Sequence, residues 1–266
     1  MATILQSSAV EAVQKTKPAV SIVMPVYNLG DQVERLMARA VEKYSSVFES
    51  FELIVVDDGS RDQTRSALKR IKDERVKVVG YTSNGGKGNA LMFGFQFATA
   101  ERVVFADGDM QASPSDCRQY LSALDHADIV VSSKRVPGAQ VNASAKREFL
   151  SLGFNLFVKM LLPLSVSDTQ AGFKAFRREA LARILPLISV KKYAFDVELL
   201  VVAKLLKLKI VELPIVVTLS DGFRKRHMLR MLVDLLGIAY RLRLKRWYQD
   251  NIAKGMVDPY KPMLRW

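Results

Sequence analysis

Asp107, Asp109 and Gln111 follow a short apolar run, residues 103–105, in the stretch VVFADGDMQASPSD. In an extended segment alternate side chains point the same way, so these three oxygen-bearing groups can converge on one spot. Two carboxylates and an amide oxygen suit a hard divalent cation that keeps open positions for water and phosphate. The same stretch also reads as an acidic turn before a helix opening near Pro114, with Ser113 or Asp116 as cap. A D-x-D spacing alone leaves both readings open.

Three further clusters carry chemistry. Asp57-Asp58-Gly59-Ser60 ends the apolar run FELIVV, where a carboxylate can accept hydrogen bonds from a base N–H or ribose hydroxyls, or simply cap a turn. Asn84-Gly85-Gly86-Lys87-Gly88 fails the P-loop pattern, since Tyr81 stands where the first glycine belongs and Gly88 replaces the hydroxyl residue after lysine. A glycine-flanked lysine at a helix start can still meet a diphosphate through backbone N–H groups and a point charge. The last cluster is cationic: Lys134 and Arg135 end a strand, and Arg147 and Ser151, one turn apart on the next helix, can reach a single phosphate. A solvated basic helix end is the alternative.

The elements that position these groups follow from apolar periodicity. Residues 20–26, 51–56, 76–81, 103–106 and 129–132 read as strands, and helices read over 62–72, from the Gly-rich stretch through 98, and over 114–124, with another capped by Asp31. Strands alternating with helices at this spacing predict an α/β fold, a mostly parallel sheet covered on both faces, with ligands at the carboxyl ends of the strands. In the second half the pattern predicts helices over 145–162 and 196–206, and a strand over 210–218 with Pro214 at an edge or bend. A basic amphipathic helix follows over 228–248.

The 266 residues suffice for one large domain or two small ones, and the net charge of +13 calls for an anionic partner. Much of that excess lies between Arg224 and Arg246, where Asp234 is the single acid. Cys117 is the only cysteine, so no intrachain disulfide can form. Residues 1–18 lack the continuous apolar core of a signal peptide and read as a mobile arm. No run is long enough to span a membrane; residues 149–166 are interrupted by Asn155, Lys159 and Pro163. A nucleic-acid-binding role for the basic RLRLKRW segment is disfavoured, because no binding module is recognisable and the acidic loops repel phosphate.

The ordered stretches VSIVMPVYN, FELIVVDDGSRDQT, NGGKGNAL and VVFADGDMQASP together resemble the family 2 glycosyltransferases of the GT-A fold. SDTQAGFKAFRRE and KKYAFDVELLVVAKLLKLKIVELPI narrow the resemblance to enzymes that load one hexose onto dolichyl or another polyprenyl phosphate, making a lipid-linked sugar donor for glycosylation. It implies a GT-A domain over 19–222, followed by a basic amphipathic helix and tail over 223–266. It further implies a nucleotide sugar held by Pro25, Tyr27, Asn28, Asp57, Asp58, Lys87 and Asp107, with Mg²⁺ or Mn²⁺ on Asp107, Asp109 and Gln111. Asp109, Lys87 and Arg135 would be the catalytic groups, and Lys134, Arg135, Arg147 and Ser151 would hold the acceptor phosphate. A phosphate monoester, with a second pKa of about 6, is already anionic near neutrality, so inverting transfer needs no general base. A sugar hydroxyl acceptor would need one, and Asp168 or Asp196 would be the candidate.

The resemblance leaves the sugar open between UDP-glucose, favoured by DTQAGFK and YAFDVELL, and GDP-mannose, favoured by DGDMQ. Two residues depart from the family pattern. Leu29 stands where relatives carry an acid, and SDGFRKRH lacks a Ser-Lys pair, so Arg224, Lys225 or Arg226 would supply that charge. A lipid acceptor implies peripheral attachment at the cytoplasmic face of a membrane. Helices over 149–164 and 228–248 would then lie on anionic lipid, with Met228, Leu232, Leu235, Leu236 and Ile238 inward to the bilayer, or else pack on the sheet or on a second copy.

Overall fold

The computed structural model of the chain describes residues 17–106, 114–169, 172–192, 194–218 and 225–255. Asp107, Asp109, Gln111 and Arg224, and all but the last two residues of the expected arm, lie outside them. The chain divides into two compact units, residues 1–110 and 111–266.

In the first unit β1 (Val20–Val26), β2 (Phe51–Asp58), β3 (Val76–Tyr81) and β4 (Arg102–Phe105) run parallel in the order β3-β2-β1-β4. The connections are α1 (Gln32–Ser45), α2 (Thr64–Arg70) and α3 (Lys87–Phe95). Residues 53–56 of β2 and 22–24 of β1 are fully buried, as strands covered on both faces must be. α1 turns Val33, Met37, Ala40 and Tyr44 inward at helical spacing. α3 meets the sheet at Gly94, where a Cβ would lie 2.5 Å from Val23 Cγ1 and 2.7 Å from Val56 Cγ2. Gly94→Ala is therefore expected to destabilise the protein by about 1–3 kcal/mol through overpacking, read as a lower urea midpoint with unchanged slope. β2 runs two residues beyond its apolar stretch because Asp57 and Asp58 pair with Gly80 and Tyr81 of β3.

The second unit contains α4 (Pro114–Ala123), β5 (Ile129–Ser133), β6 (Gln140–Asn142), α5 (Ala145–Leu161), β7 (Lys174–Arg177), α6 (Arg178–Ile184) and α7 (Phe195–Leu205). It ends with β8 (Ile210–Pro214), β9 (Val216–Thr218), α8 (Lys225–Arg243) and α9 (Trp247–Ala253). β5 pairs antiparallel with β7 and parallel with β8, while β6 and β9 form a separate parallel pair. The strand expected over 210–218 is broken at Ile215, since Pro214 lacks the N–H that a continuous ladder needs. The helix expected over 228–248 is two helices: Arg246, in a left-handed conformation with φ 49°, turns the chain between α8 and α9. Cys117 is fully buried on α4.

The C-terminal helices are fastened to α7 by one carboxylate. Glu198, 0% exposed, accepts the backbone N–H groups of Ser189 and Val190 at 2.9 and 2.6 Å, Arg241 Nη2 at 3.1 Å, and the Tyr248 hydroxyl. Burial and the neighbouring carboxylate push the Tyr248 phenol above its ordinary range, so it stays a donor. Leu235 and Ile238 face this interior and are 0% exposed, which corrects their expected place against lipid. The outward row of α8 is instead Leu229, Val233, Leu236 and Tyr240, continued by Leu244, all exposed. α5 packs against α8 and shows a similar row, Phe149, Leu152, Leu156 and Met160, with Phe149 77% exposed. Among the described residues, no helix is long and apolar enough to cross a membrane.

Candidate functional site

The carboxyl ends of the first unit's strands carry a laced set of loops. After β1, Asn28 adopts a left-handed φ of 49°; its N–H donates to Ser60 Oγ at 3.0 Å and its Oδ1 accepts from Arg61 N–H at 2.9 Å. The Leu29 and Gly30 N–H groups both donate to Thr64 Oγ1 at 2.8 Å, and Gly30 N–H also reaches Asp62 Oδ2 at 2.8 Å. The loop is thus held at Leu29 and Gly30 by backbone N–H groups on Thr64 and Asp62. Nothing in the local spacing singles out Asp62 or Thr64 beforehand.

The Thr64 hydroxyl first, and the backbone N–H groups of Thr64 and Gly30 after it, hold the Asp62 carboxyl below its usual range. A depressed folded pKa means that this contribution is present above the unfolded value and is lost as pH falls through the folded one. Acidification below the ordinary aspartate range is therefore expected to release the 28–30 loop first. Faster amide exchange at Leu29 and Gly30, ahead of global unfolding, would show it.

Asp57 and Asp58, two acids equivalent in the sequence, are distinct in space. Asp57, 2% exposed, accepts Ser60 N–H on Oδ1 at 2.9 Å and Arg65 Nε on Oδ2 at 2.8 Å, leaving lone pairs on both oxygens. Asp58, 4% exposed, is saturated. Its Oδ1 takes the Tyr81 hydroxyl and the Gly85 and Gly86 N–H groups, and its Oδ2 takes Asn84 Nδ2 and again Gly86 N–H, at 2.6 to 3.1 Å. Burial, then the Asp58 carboxylate, raises the Tyr81 phenol and keeps it protonated for this bond. Asp58 therefore folds the Gly-rich loop, and that loop delivers Lys87 as the first residue of α3.

Gly59 makes the arrangement possible: its φ is +68°, and a Cβ there would lie 2.5 Å from the backbone of Ser83 and Asn84. In Asp58→Asn an amide must point a donor at donors. The expected cost is about 2 kcal/mol of stability, measured by thermal melting. Of the other expected donor residues, Pro25 lies in β1, half-buried, and Tyr27 beside it is 42% exposed.

The second unit carries the cations. Lys134 Nζ lies 2.8 Å from Asp168 Oδ2, and Arg135 Nη2 donates to Ser151 Oγ at 3.1 Å, so the end of β5 and helix α5 are joined. Arg135 Nε is buried and, among the described residues, has no hydrogen-bond partner. Arg147 sits in the first turn of α5, where Ser144 Oγ caps the helix by accepting the Arg147 N–H. Asp196 is 2.9 Å from Lys174 Nζ. Asp168 and Asp196, the candidate bases for a hydroxyl acceptor, are thus each ion-paired with a lysine ammonium. Sequence spacing alone misses the supports of this site, Ser133, Ser167 and Glu212.

Among the described residues, no three His, Cys, Asp or Glu side chains are grouped to hold a metal. Lys225 and Arg226, candidates for the charge a Ser-Lys pair would carry, open α8.

Comparison with known proteins gives a consistent result. A family model described as glycosyl transferase family 2 matches residues 21–185. A dolichyl-phosphate beta-glucosyltransferase of Trichomonas vaginalis is 30% identical over 258 residues, 91% of this chain and 77% of the relative. One of Mus musculus is 32% identical over 257 residues, covering 88% and 79%. Among solved structures, glucosyl-3-phosphoglycerate synthase from Mycobacterium tuberculosis, in complex with Mn²⁺, UDP-glucose and phosphoglyceric acid, superposes with a TM-score of 0.62 at 19% identity, over 84% of this chain and 79% of that one. That likeness shows the fold, and it is the mostly parallel α/β architecture that the strand pattern predicts.

Proposed function

Since the chain belongs to glycosyl transferase family 2, we propose that it transfers glucose from UDP-glucose to dolichyl or a related polyprenyl phosphate, with inversion at the anomeric carbon. The names of its relatives support glucose over mannose and dolichyl phosphate as acceptor. The observation that carries the reading is Arg135: its guanidinium is joined to Ser151 on one side, and its buried Nε–H, with no partner among the described residues, is a donor suited to a phosphate oxygen.

In the reaction a phosphate oxygen attacks the anomeric carbon, the bond to the UDP oxygen breaks, and the electron pair leaves with the diphosphate. Arg135, with Lys134 and Arg147 nearby in the chain, offsets the repulsion between the acceptor phosphate and the donor and aims the attacking oxygen. Lys87 and the N–H groups at the start of α3 receive the charge that develops on the diphosphate. Asp57, with lone pairs to spare, is the acid suited to the base or ribose. Asp107, Asp109 and Gln111, all oxygen ligands, would hold Mg²⁺ or Mn²⁺, which would supply positive charge to offset that of the leaving diphosphate. A hydroxyl acceptor is disfavoured because Asp168 and Asp196 are ion-paired.

The acceptor's lipid would be met at the cytoplasmic face of a membrane by the exposed rows of α5 and α8, flanked by the exposed Lys159, Arg230, Arg243, Lys245 and Arg246. Incubating the protein with polyprenyl phosphate and either labelled UDP-glucose or labelled GDP-mannose tests the whole reading. Label is expected in the lipid only from UDP-glucose, and Arg135→Ala is expected to raise the acceptor KM by roughly tenfold or more. Transfer from GDP-mannose alone, or from neither donor, would overturn it.

A further inference from the structure

The cations of the second unit rest on a carboxylate of another strand. Glu212, on β8, accepts the Ser167 N–H on both oxygens at 2.9 and 2.8 Å, the Asp168 N–H at 3.2 Å, and the Ser167 hydroxyl at 2.6 Å. Because Ser167 spends its proton on Glu212, the 2.7 Å contact between the hydroxyls of Ser133 and Ser167 must have Ser133 as donor. Ser133 Oγ in turn accepts the Arg135 N–H at 3.1 Å. A one-way chain thus runs from the Arg135 backbone through two serines to Glu212. A second branch runs from Glu212 through the Asp168 N–H to the Asp168 carboxylate, which takes both Lys134 Nζ, at 2.8 Å, and Lys134 N–H, at 3.2 Å. The 167–168 segment is anchored from α5 as well, by Asn155 Nδ2 on the Ser167 carbonyl at 2.9 Å.

We infer that Glu212 is a positioning residue for the acceptor phosphate: acting through Ser167, Ser133 and Asp168, it holds Lys134 and Arg135 at the end of β5 in the geometry that receives the anion. The inference rests on the phosphate-acceptor reading above and goes beyond it, because Glu212 itself offers the anion only repulsion. Its two oxygens face donors alone, so an acceptor-only group is required and no neutral side chain of the same shape replaces it. In Glu212→Gln the amide NH₂ confronts the Ser167 N–H in either orientation, because that N–H reaches both carboxylate oxygens, and the negative charge that ends the chain is lost. The strand end then samples other backbone positions, and the cost falls on binding of the phosphate.

The test uses the purified full chain, with a short-chain polyprenyl phosphate and UDP-glucose varied separately. Glu212→Gln is expected to raise the acceptor KM roughly tenfold or more while the donor KM stays at the wild-type value. Ser133→Ala, which interrupts the chain without touching the carboxylate, is expected to raise the acceptor KM alone and by less, and to add little when combined with Glu212→Gln. An acceptor KM unchanged in folded Glu212→Gln, or both KM values rising together, overturns the inference. Should Glu212→Gln fail to fold, Ser133→Ala decides on the same criterion. Equilibrium titration with inorganic phosphate separates the two ideas. If the wild type binds phosphate, Glu212→Gln weakens that binding, and lipid is never glycosylated, then the acceptor assignment is wrong and the positioning role stands. If Glu212→Gln binds phosphate as the wild type does, the positioning role is wrong.

Discussion

Arg241→Glu is expected to unfold the C-terminal part of the protein or to destabilise it by roughly 3–5 kcal/mol, as breaking a buried ion pair typically does. The residue stands in a row of basic positions that looks uniformly solvent-facing in the sequence, yet its guanidinium reaches Glu198, which is 0% exposed. Reversal leaves one carboxylate buried without its cation and brings a second beside it. Against a total stability of about 5–15 kcal/mol that is a large fraction. Arg243→Glu is the matched comparison: the residue is two positions along the same helix and exposed, so the expected change is within about 0.5 kcal/mol. Urea unfolding of both variants measures the contrast; equal midpoints would show that the Glu198 contact contributes nothing. A charge-reversal test of membrane binding should accordingly use Arg243, Lys245 and Arg246 and leave Arg241 in place.

Asp109→Asn is expected to lower sugar transfer by roughly 10²–10³-fold with little change in melting temperature. The argument is electrostatic. Breaking the glycosidic bond concentrates charge on a diphosphate, and in the proposed reading Asp109 serves the cation that offsets it, so the amide removes charge and leaves volume unchanged. Excess chelator should reproduce the loss in the wild type, and added Mg²⁺ or Mn²⁺ should reverse it. Full transfer in excess chelator would remove the metal, and with it the role of Asp107, Asp109 and Gln111, from the mechanism.

How far the sequence could be read depended on the range of the forces at each place. β1, β2 and β4 were legible because each is a buried apolar run that leads into Asn or Asp, while β3, an edge strand with only Val79 buried, was legible from Val76, Val78 and Val79. β6 and β7 were not, since three- and four-residue strands take their identity from a partner: Lys174 pairs with Val131 only once the chain has folded back. The turn between α8 and α9 was hidden for another reason. Arg246 adopts a left-handed conformation that glycine or asparagine would have advertised. In the candidate site, Lys134, Arg135 and Ser151 could be found from charge and helical spacing. Glu212 could not, because its bond to Ser167 spans 45 residues and leaves no local pattern. Asp57 and Asp58 were both found but could not be ranked, because their difference is made by the loop at Gly85 and Gly86 that closes over one of them.

The burial of Cys117 makes the chain suited to spectroscopic labelling. It is the only thiol, and a fully buried one is shielded from water-borne maleimides. A cysteine introduced at Leu156 or Leu244, both exposed, would therefore carry a solvatochromic dye alone, without removing the native sulfur. Emission from the two positions could then distinguish whether water, lipid or a second copy covers α5 and the end of α8, one site at a time.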